Sequence, residues 1–274
     1  MATRFVRALA DLAPSGARRA VAGAMVDLKS LRARISDPAR RAEPWSFVHN
    51  VGNGDFQAIG AMLLHNLQDH AGLKPADQVL DIGCGNGRVA AQLAPILRPA
   101  GGYVGFDISR RGIQACRRQF AREPHMRFQH LDVWNGEYNA KGRVAELDTV
   151  FPAPDDSVDL AFATSVFTHM RMPAVRRYLA ETARVLRPGG RLAFTVFALE
   201  PGRETSEAFA FRAFDATSSA VDFRYPERAI GHRREALEQA VSDAGLRVAT
   251  FLRGYWTPVG EYDGGQDLFL VVKP

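Results

Sequence analysis

Val79-Leu80-Asp81-Ile82-Gly83-Cys84-Gly85-Asn86-Gly87 is an apolar run that breaks into alternating glycines. The run has the length and composition of a buried strand. The glycines allow a tight turn and close approach of backbone to a ligand. A helical pattern begins at Asn86, so the unit is a strand, a glycine turn and a helix start. A dinucleotide site is the first reading, but its fingerprint is G-x-G-x-x-G and here Arg88 stands at the last glycine position. The spacing is instead G-x-G-x-G, with Asp81 two residues before the first glycine. An acid there disfavours a pyrophosphate at the helix N-terminus and suits a ligand that brings a cation.

Outward from this unit, strand and helix patterns alternate from residue 46 onward. Gln78 to Ile82, Tyr103 to Asp107, Met126 to Leu131, Val158 to Thr164 and Leu192 to Leu199 read as strands. Helices are expected from Asn86 to about Leu97, from a Ser109 cap to about Glu123, and from Pro173 to a stop at Pro188-Gly189-Gly190. A further helix is expected from about His232 to Ala244, followed by strands at Leu246 to Tyr255 and Asp267 to Val272. This alternation predicts βαβ units and a mainly parallel α/β sheet. Two segments interrupt it, near 134–150 and 201–231, and loops of that length in compact domains are usually functional or mobile.

Further acids stand at the strand ends. Gly105-Phe106-Asp107 closes the second strand and Leu131-Asp132-Val133 the third; Phe151 to Leu160 leads into the fourth, and Leu186-Arg187-Pro188-Gly189-Gly190-Arg191-Leu192 into the fifth. Together with Asp81 to Gly87, these pieces in this order resemble the motifs of the class I (seven-stranded, Rossmann-like) S-adenosylmethionine-dependent methyltransferases. The resemblance covers roughly residues 50 to 274. It implies sheet order 3-2-1-4-5-7-6 with the last strand antiparallel, and S-adenosyl-L-methionine as cofactor, with S-adenosyl-L-homocysteine as product. Asp81 then faces the ammonium side of the ligand, with Gly83, Cys84 and Gly85 forming the turn. Asp107 accepts from the ribose hydroxyls, as the ribose acid of dinucleotide folds does, and Ile108 follows it in the cofactor set. Asp132 offers a carboxylate to the adenine amino group and Val133 a backbone N–H to the ring. Thr164 ends the strand beside the methionine part and the methyl. Cys84 itself reads as a small residue fitted to the turn, and Cys116 as core.

The acceptor is narrowed by exclusion. The place after the fourth strand reads Ala163-Thr164-Ser165-Val166-Phe167, without the Asn/Asp-Pro-Pro-aromatic motif of base amino-group methylation in this fold. Neither cysteine follows a proline, as cytosine C5 chemistry requires, and no clustered carboxylates suggest a metal. Small-molecule, sugar or lipid-linked acceptors remain, with oxygen preferred. An alcohol must lose its proton during attack, so a base is sought. His169, just beyond the fourth strand, is the candidate; it also reads as a structural or cofactor-contacting histidine. His232 is the weaker alternative because it stands where a helix is expected to begin. The segment from Val51 to Phe56 reads as a hinged cover or as a helix start capped by Asn53 or Asp55. A protein that binds the cofactor without catalysis, as a sensor or inactive partner, is the alternative function; an NAD-dependent oxidoreductase and an aminopropyl transferase rank below it.

Charge divides the chain. Residues 1–41 hold nine Lys/Arg against three Asp, so this arm is +6, while the whole chain is +5 and the rest is therefore −1. A body without basic excess argues against nucleic acid. The expected division is a basic helical arm over 1–45 and a catalytic domain over 46–274. The arm reads as two helices, from about Thr3 to Ala13 and then one with Val21, Met25, Leu28, Leu31 and Ile35 on one face. It is expected to pack on the body, or to touch an anionic membrane surface or a polyanionic substrate. The Ala20 to Val26 stretch is too short, and too soon followed by Asp27 and Lys29, for a secretion signal. Two cysteines make no disulfide framework. The expected location is cytoplasmic, with peripheral membrane contact through the arm; the oligomeric state is left open.

Overall fold

The computed structural model describes residues 15–36, 43, 45, 55–98 and 101–274. The expected first helix of the arm and most of the expected cover at 51–54 lie outside the described residues.

Strand β1 (Gln78–Ile82) is the centre of the sheet. It pairs in parallel with β2 (Gly102–Asp107) on one side and β4 (Val158–Ala163) on the other. Outside β2 lies β3 (Met126–His130) and outside β4 lies β5 (Leu186–Leu199), both parallel. The last strand, β10 (Asp267–Val272), runs antiparallel against β5 and against β9 (Arg247–Leu252). The order β3-β2-β1-β4-β5-β10-β9 is the expected one, including the antiparallel last strand. What the sequence reading missed is a fork in β5. Its residues 191–196 pair with β10, while Phe197, Ala198 and Leu199 pair in parallel with β8 (Ile230–Arg233). β8 carries the short strands β7 (Ser218–Ala220) and β6 (Arg212–Ala213), so the 201–231 excursion is in part a ribbon on the sheet.

The sheet is covered on both faces, which is why β1 and β4 read as continuous apolar runs. Side chains alternate between the two cores. Leu80, Ile82, Phe106, Ala161, Leu192 and Phe194 pack on one side with helix α5 (Met172–Val185) and α6 (Arg234–Asp243). Val79, Tyr103, Leu160, Phe162 and Ala193 pack on the other with α2 (Phe56–Asp69), α3 (Arg88–Leu93) and α4 (Arg110–Gln119). Burying one such Leu or Phe stabilises the fold by roughly 1.5–3 kcal/mol. The caps match the sequence: Ser109 Oγ accepts from the Gly112 N–H at 3.2 Å, and Asp55 Oδ1 from the Ala58 N–H at 2.9 Å. Asp55 is thus a helix cap.

Two expectations are corrected. The helix expected from His232 starts at Arg234, because Ile230 to Arg233 is claimed by β5 and β7 as strand β8. In the arm, helix α1 (Ser15–Ser36) is present, but Val21, Met25, Leu28, Leu31 and Ile35 do not pack on the body; all five are exposed.

Candidate active site

All the strand ends that carry acids open on the same edge, the carboxyl end of the parallel strands, where ligands bind in open α/β sheets. The turn after β1 is made by backbone. Gly83 and Cys84 both donate N–H bonds to the Phe106 carbonyl at 2.9 and 3.0 Å. Gly83, Gly85 and Gly87 have φ of 75°, 59° and 83°, in the left-handed region that side chains disfavour. Gly83 is further constrained: a Cβ there would lie 2.5 Å from Val166 Cγ2. The segment after β4 therefore lies directly over the glycine turn. The Gly85 N–H donates to Asp107 Oδ2 at 2.8 Å, and Asp107 Oδ1 accepts the Ser109 N–H at 2.6 Å. Asp107 thus fastens the turn to the end of β2, and half-buried Ile108 follows it.

Asp81 is buried, with Tyr103 donating its hydroxyl to Oδ2 at 2.6 Å. Burial pushes its carboxyl up to about 7, the Tyr103 bond opposing and the Asp107 charge adding. Gly105, opposite Asp81 in β2, has to be glycine: a Cβ would sit 2.7 Å from the Tyr103 hydroxyl and 2.9 Å from Cys84 Cβ. Cys84 and Cys116 are buried, and burial pushes the Cys84 thiol far up, so it is packing and no nucleophile. Asn86 Oδ1 is buried without a hydrogen-bond partner.

Asp132, expected to face an adenine, is engaged by its own loop. Its Oδ2 accepts from Arg143 Nε at 2.7 Å and its Oδ1 from Asn139 Nδ2 at 3.3 Å. The Arg143 bond holds its carboxyl below the ordinary range. A carboxylate has about four lone-pair sites, so capacity remains. Val133 is buried and bridges Val144.

After β4, Thr164 is half-buried and Ser165 takes φ 55°, with its N–H on Thr195 Oγ1 at 2.8 Å. The 3-10 turn Phe167–His169 follows. His169 Nδ1 lies 2.7 Å from the Glu227 carbonyl. A carbonyl only accepts, so Nδ1 carries the proton and Nε2 presents its lone pair. Tyr138 Oη stands 3.4 Å from Nε2, its ring edge-on to the imidazole. Burial lowers the His169 pKa, against the Glu227 carbonyl, so the ring is neutral near pH 7. Asn135 organises the loop: its Oδ1 accepts the N–H groups of Glu137 and Tyr138 at 3.1 and 3.0 Å. Arg171 lies 3.5 Å from the Glu227 carboxylate and over the Phe214 ring.

His232 is no candidate base. It is fully buried in β8, with Ser218 Oγ 3.0 Å from Nδ1 and the Phe167 carbonyl 3.3 Å from Nε2. Burial lowers it to about 4. Its ring ties the ribbon to the turn that bears His169. The sequence reading missed Glu227, Asn135 and His232 in this role. A backbone carbonyl has no sequence signature; Asn135-Gly136 was the one visible hint, a turn signal.

Residues 80–194 match the family model described as "Methyltransferase domain". The chain is 32% identical over 190 residues to a 27-O-demethylrifamycin SV methyltransferase of Amycolatopsis mediterranei, covering 69% of this chain and 63% of the relative. It is 33% identical over 145 residues to phthiotriol/phenolphthiotriol dimycocerosates methyltransferase 1 of Mycobacterium ulcerans, covering 53% and 45%. Among solved structures, a geranyl diphosphate C-methyltransferase from Streptomyces coelicolor superposes with TM-score 0.54 at 16% identity, over 79% of each chain. The chain spans 63% or less of the length of these curated relatives.

Proposed function

We propose that this chain, which carries a class I S-adenosylmethionine-dependent methyltransferase domain, transfers the cofactor's methyl group to an oxygen of a small-molecule, sugar or lipid-linked acceptor. The residues present fit the cofactor. The Asp81 carboxyl is raised by burial with the Asp107 charge adding, so a bound ammonium would be a fitting partner for it, and Asn86 Oδ1 beside the glycine turn is buried with no hydrogen-bond partner. Asp81 would hold the ammonium and Gly83, Cys84 and Gly85 the methionine backbone. Asp107 with Ile108 would take the ribose, Asp132 with Val133 the adenine, and Thr164 the methyl end. When bound, S-adenosylmethionine supplies a methyl carbon on a sulfonium leaving group.

The protein's part is positioning and one proton. Placing acceptor and methyl at near-attack distance is the largest contribution. Methylation of a hydroxyl would leave its proton to be taken up. The acceptor's hydroxyl proton goes to His169 Nε2. Nδ1–H stays on the Glu227 carbonyl, which orients the ring and stabilises the imidazolium. Tyr138 Oη beside Nε2 orients the acceptor hydroxyl. Exposed Trp134 and Tyr138 offer aromatic surface for the acceptor's ring or apolar body. The 27-O position in the Amycolatopsis relative's name supports oxygen.

The observation that carries this reading is His169: fixed in one tautomer, its unprotonated Nε2 3.4 Å from Tyr138 Oη, on the segment lying over the glycine turn. The test is His169→Ala, assayed across hydroxylated polyketide, phenolic, sugar and lipid-alcohol acceptors. Turnover should fall by about 10²–10⁴-fold, with S-adenosylhomocysteine affinity retained. Unchanged turnover removes His169 from proton transfer and leaves a carbon acceptor or an acidic acceptor that needs no base.

A further inference from the structure

We infer that helix α1 is a docking surface for an anionic lipid bilayer, lying in the membrane interface with its long axis along the surface. The observation is an inversion. In a helix packed on a globular body the apolar stripe faces inward and the charges outward. In α1, Val21, Met25, Leu28, Leu31 and Ile35 are 63%, 62%, 73%, 41% and 65% exposed, while Asp27 and Arg34 are 5% and 6% exposed. The apolar stripe faces away from the protein and the polar side faces it.

The inward side is well anchored, so this orientation has a cause. Arg34 Nη1 donates to the Glu43 carbonyl at 2.7 Å, and its guanidinium lies 3.8 Å from the Glu43 carboxylate and 3.9 Å from Asp27. It also stacks 4.4 Å over the Trp45 ring. Glu43 Oε1 accepts from Gln57 of α2 at 3.0 Å, which joins the arm to the body. A buried guanidinium that loses such partners is costly, so rotating α1 to hide its stripe would break its own attachment.

Charge selects the occupant. Residues 1–41 carry nine Lys/Arg against three Asp, so the segment that bears the stripe has a net charge of +6. An anionic bilayer satisfies both features, taking apolar side chains below the headgroups and cations among them. Exposed Arg32 interrupts the stripe between Leu28 and Ile35, where its stem can lie along apolar surface and its guanidinium reach the headgroups. In a parallel pair of such helices the same Arg32 would face its own copy across the seam, and two +6 arms would repel, which disfavours a second copy of the chain. A polyanion such as nucleic acid would use the charge and leave the apolar stripe in water. No helix among the described residues is long and apolar enough to cross a membrane, so α1 lies on a bilayer and does not span one.

The test is flotation of the full chain with vesicles of phosphatidylcholine, with and without phosphatidylglycerol. Binding should be at least about tenfold tighter with the anionic lipid and weaken in high salt. Leu28→Asp with Leu31→Asp should lower it by at least about tenfold. S-adenosylhomocysteine affinity in the double variant, read by calorimetry, should be unchanged, which separates a surface effect from misfolding. Failure to float, flotation indifferent to the lipid's charge, or equal flotation of the double variant would each overturn the proposal. So would stripe-dependent dimerisation by light scattering without vesicle binding, which would assign the stripe to a second copy. None of these outcomes bears on the catalytic reading.

Discussion

The glycine turn after β1 and the 3-10 turn after β4 stand against each other at one edge of the sheet, with Val166 over Gly83, yet they are held by different means. The glycine turn is fastened from the end of the adjacent strand, by the Phe106 carbonyl and by the Asp107 carboxylate 22 residues from Gly85. The 3-10 turn is fastened from far away. Its His169 takes its tautomer from the Glu227 carbonyl, 58 residues on, and its Phe167 carbonyl meets His232, 65 residues on. The glycine turn thus depends on the end of one adjacent strand, whereas the placement of His169 depends on the loop at 134–150 and the ribbon at 212–233 being in place.

The largest effect expected is at the contact between the turns. Gly83→Ala adds a side chain at positive φ and into Val166, strain of about 2–5 kcal/mol. Affinity for S-adenosylhomocysteine should drop by roughly 30-fold or more by calorimetry; retained affinity would mean that the two turns move apart freely. Asp107→Ala, which removes both the turn's fastening and the proposed ribose acceptor, should likewise collapse affinity, while NAD should bind neither protein.

His232 sharpens the comparison next. Its folded pKa of about 4 lies below the ordinary 6.5, so between those values the unfolded chain binds the proton and the folded chain does not. Stability from keeping this ring neutral is full above pH 6.5 and is lost as pH falls towards 4, to a total of about 3 kcal/mol. As pH falls from 7 to 5, the urea midpoint of His232→Gln should rise relative to that of the unaltered chain. Parallel midpoint curves for the two proteins would place the acid sensitivity elsewhere.

Asp81 has the opposite sign. Its folded pKa of about 7 lies above the ordinary 3.8, so the folded chain holds a proton that the unfolded chain releases. Its contribution is present below pH 3.8 and lost as pH rises to about 7. A bound ammonium should reverse this by favouring the carboxylate. Binding of S-adenosylmethionine at pH 6 should release up to about one proton, seen as a dependence of calorimetric heat on the buffer's ionisation enthalpy and absent in Asp81→Asn. The smallest effect expected is at Arg143. Its pairing with Asp132 is open to water on the arginine side, so Arg143→Ala should change cofactor affinity by about fivefold at most. A far larger loss would make Arg143 a direct cofactor ligand.

The glycine turn was legible because its cues lie in residue type and spacing from Asp81 to Gly87, and the alternation of strand and helix leads to the sheet order. Thr164 and His169 were chosen by position after β4, but nothing in their neighbourhood in sequence says which ring nitrogen of His169 carries the proton. Asp132 was read as open to a ligand, without the Arg143 contact that engages it, because that contact depends on the loop folding back. His232 was misplaced because helical periodicity runs through a segment that two neighbouring strands capture, tertiary pairing overriding local propensity.

By itself, the sequence determined the parallel core of the sheet, the glycine turn and the acids at the strand ends, since these follow from backbone sterics, side-chain alternation and residue chemistry within short spans. Only the tertiary structure decided the fork in β5, the tautomer of His169, the burial of His232 and the outward-facing stripe of α1. Each of these depends on which distant group supplies a hydrogen bond, an ion pair or a strand edge, and periodicity within a segment carries no information about its partner.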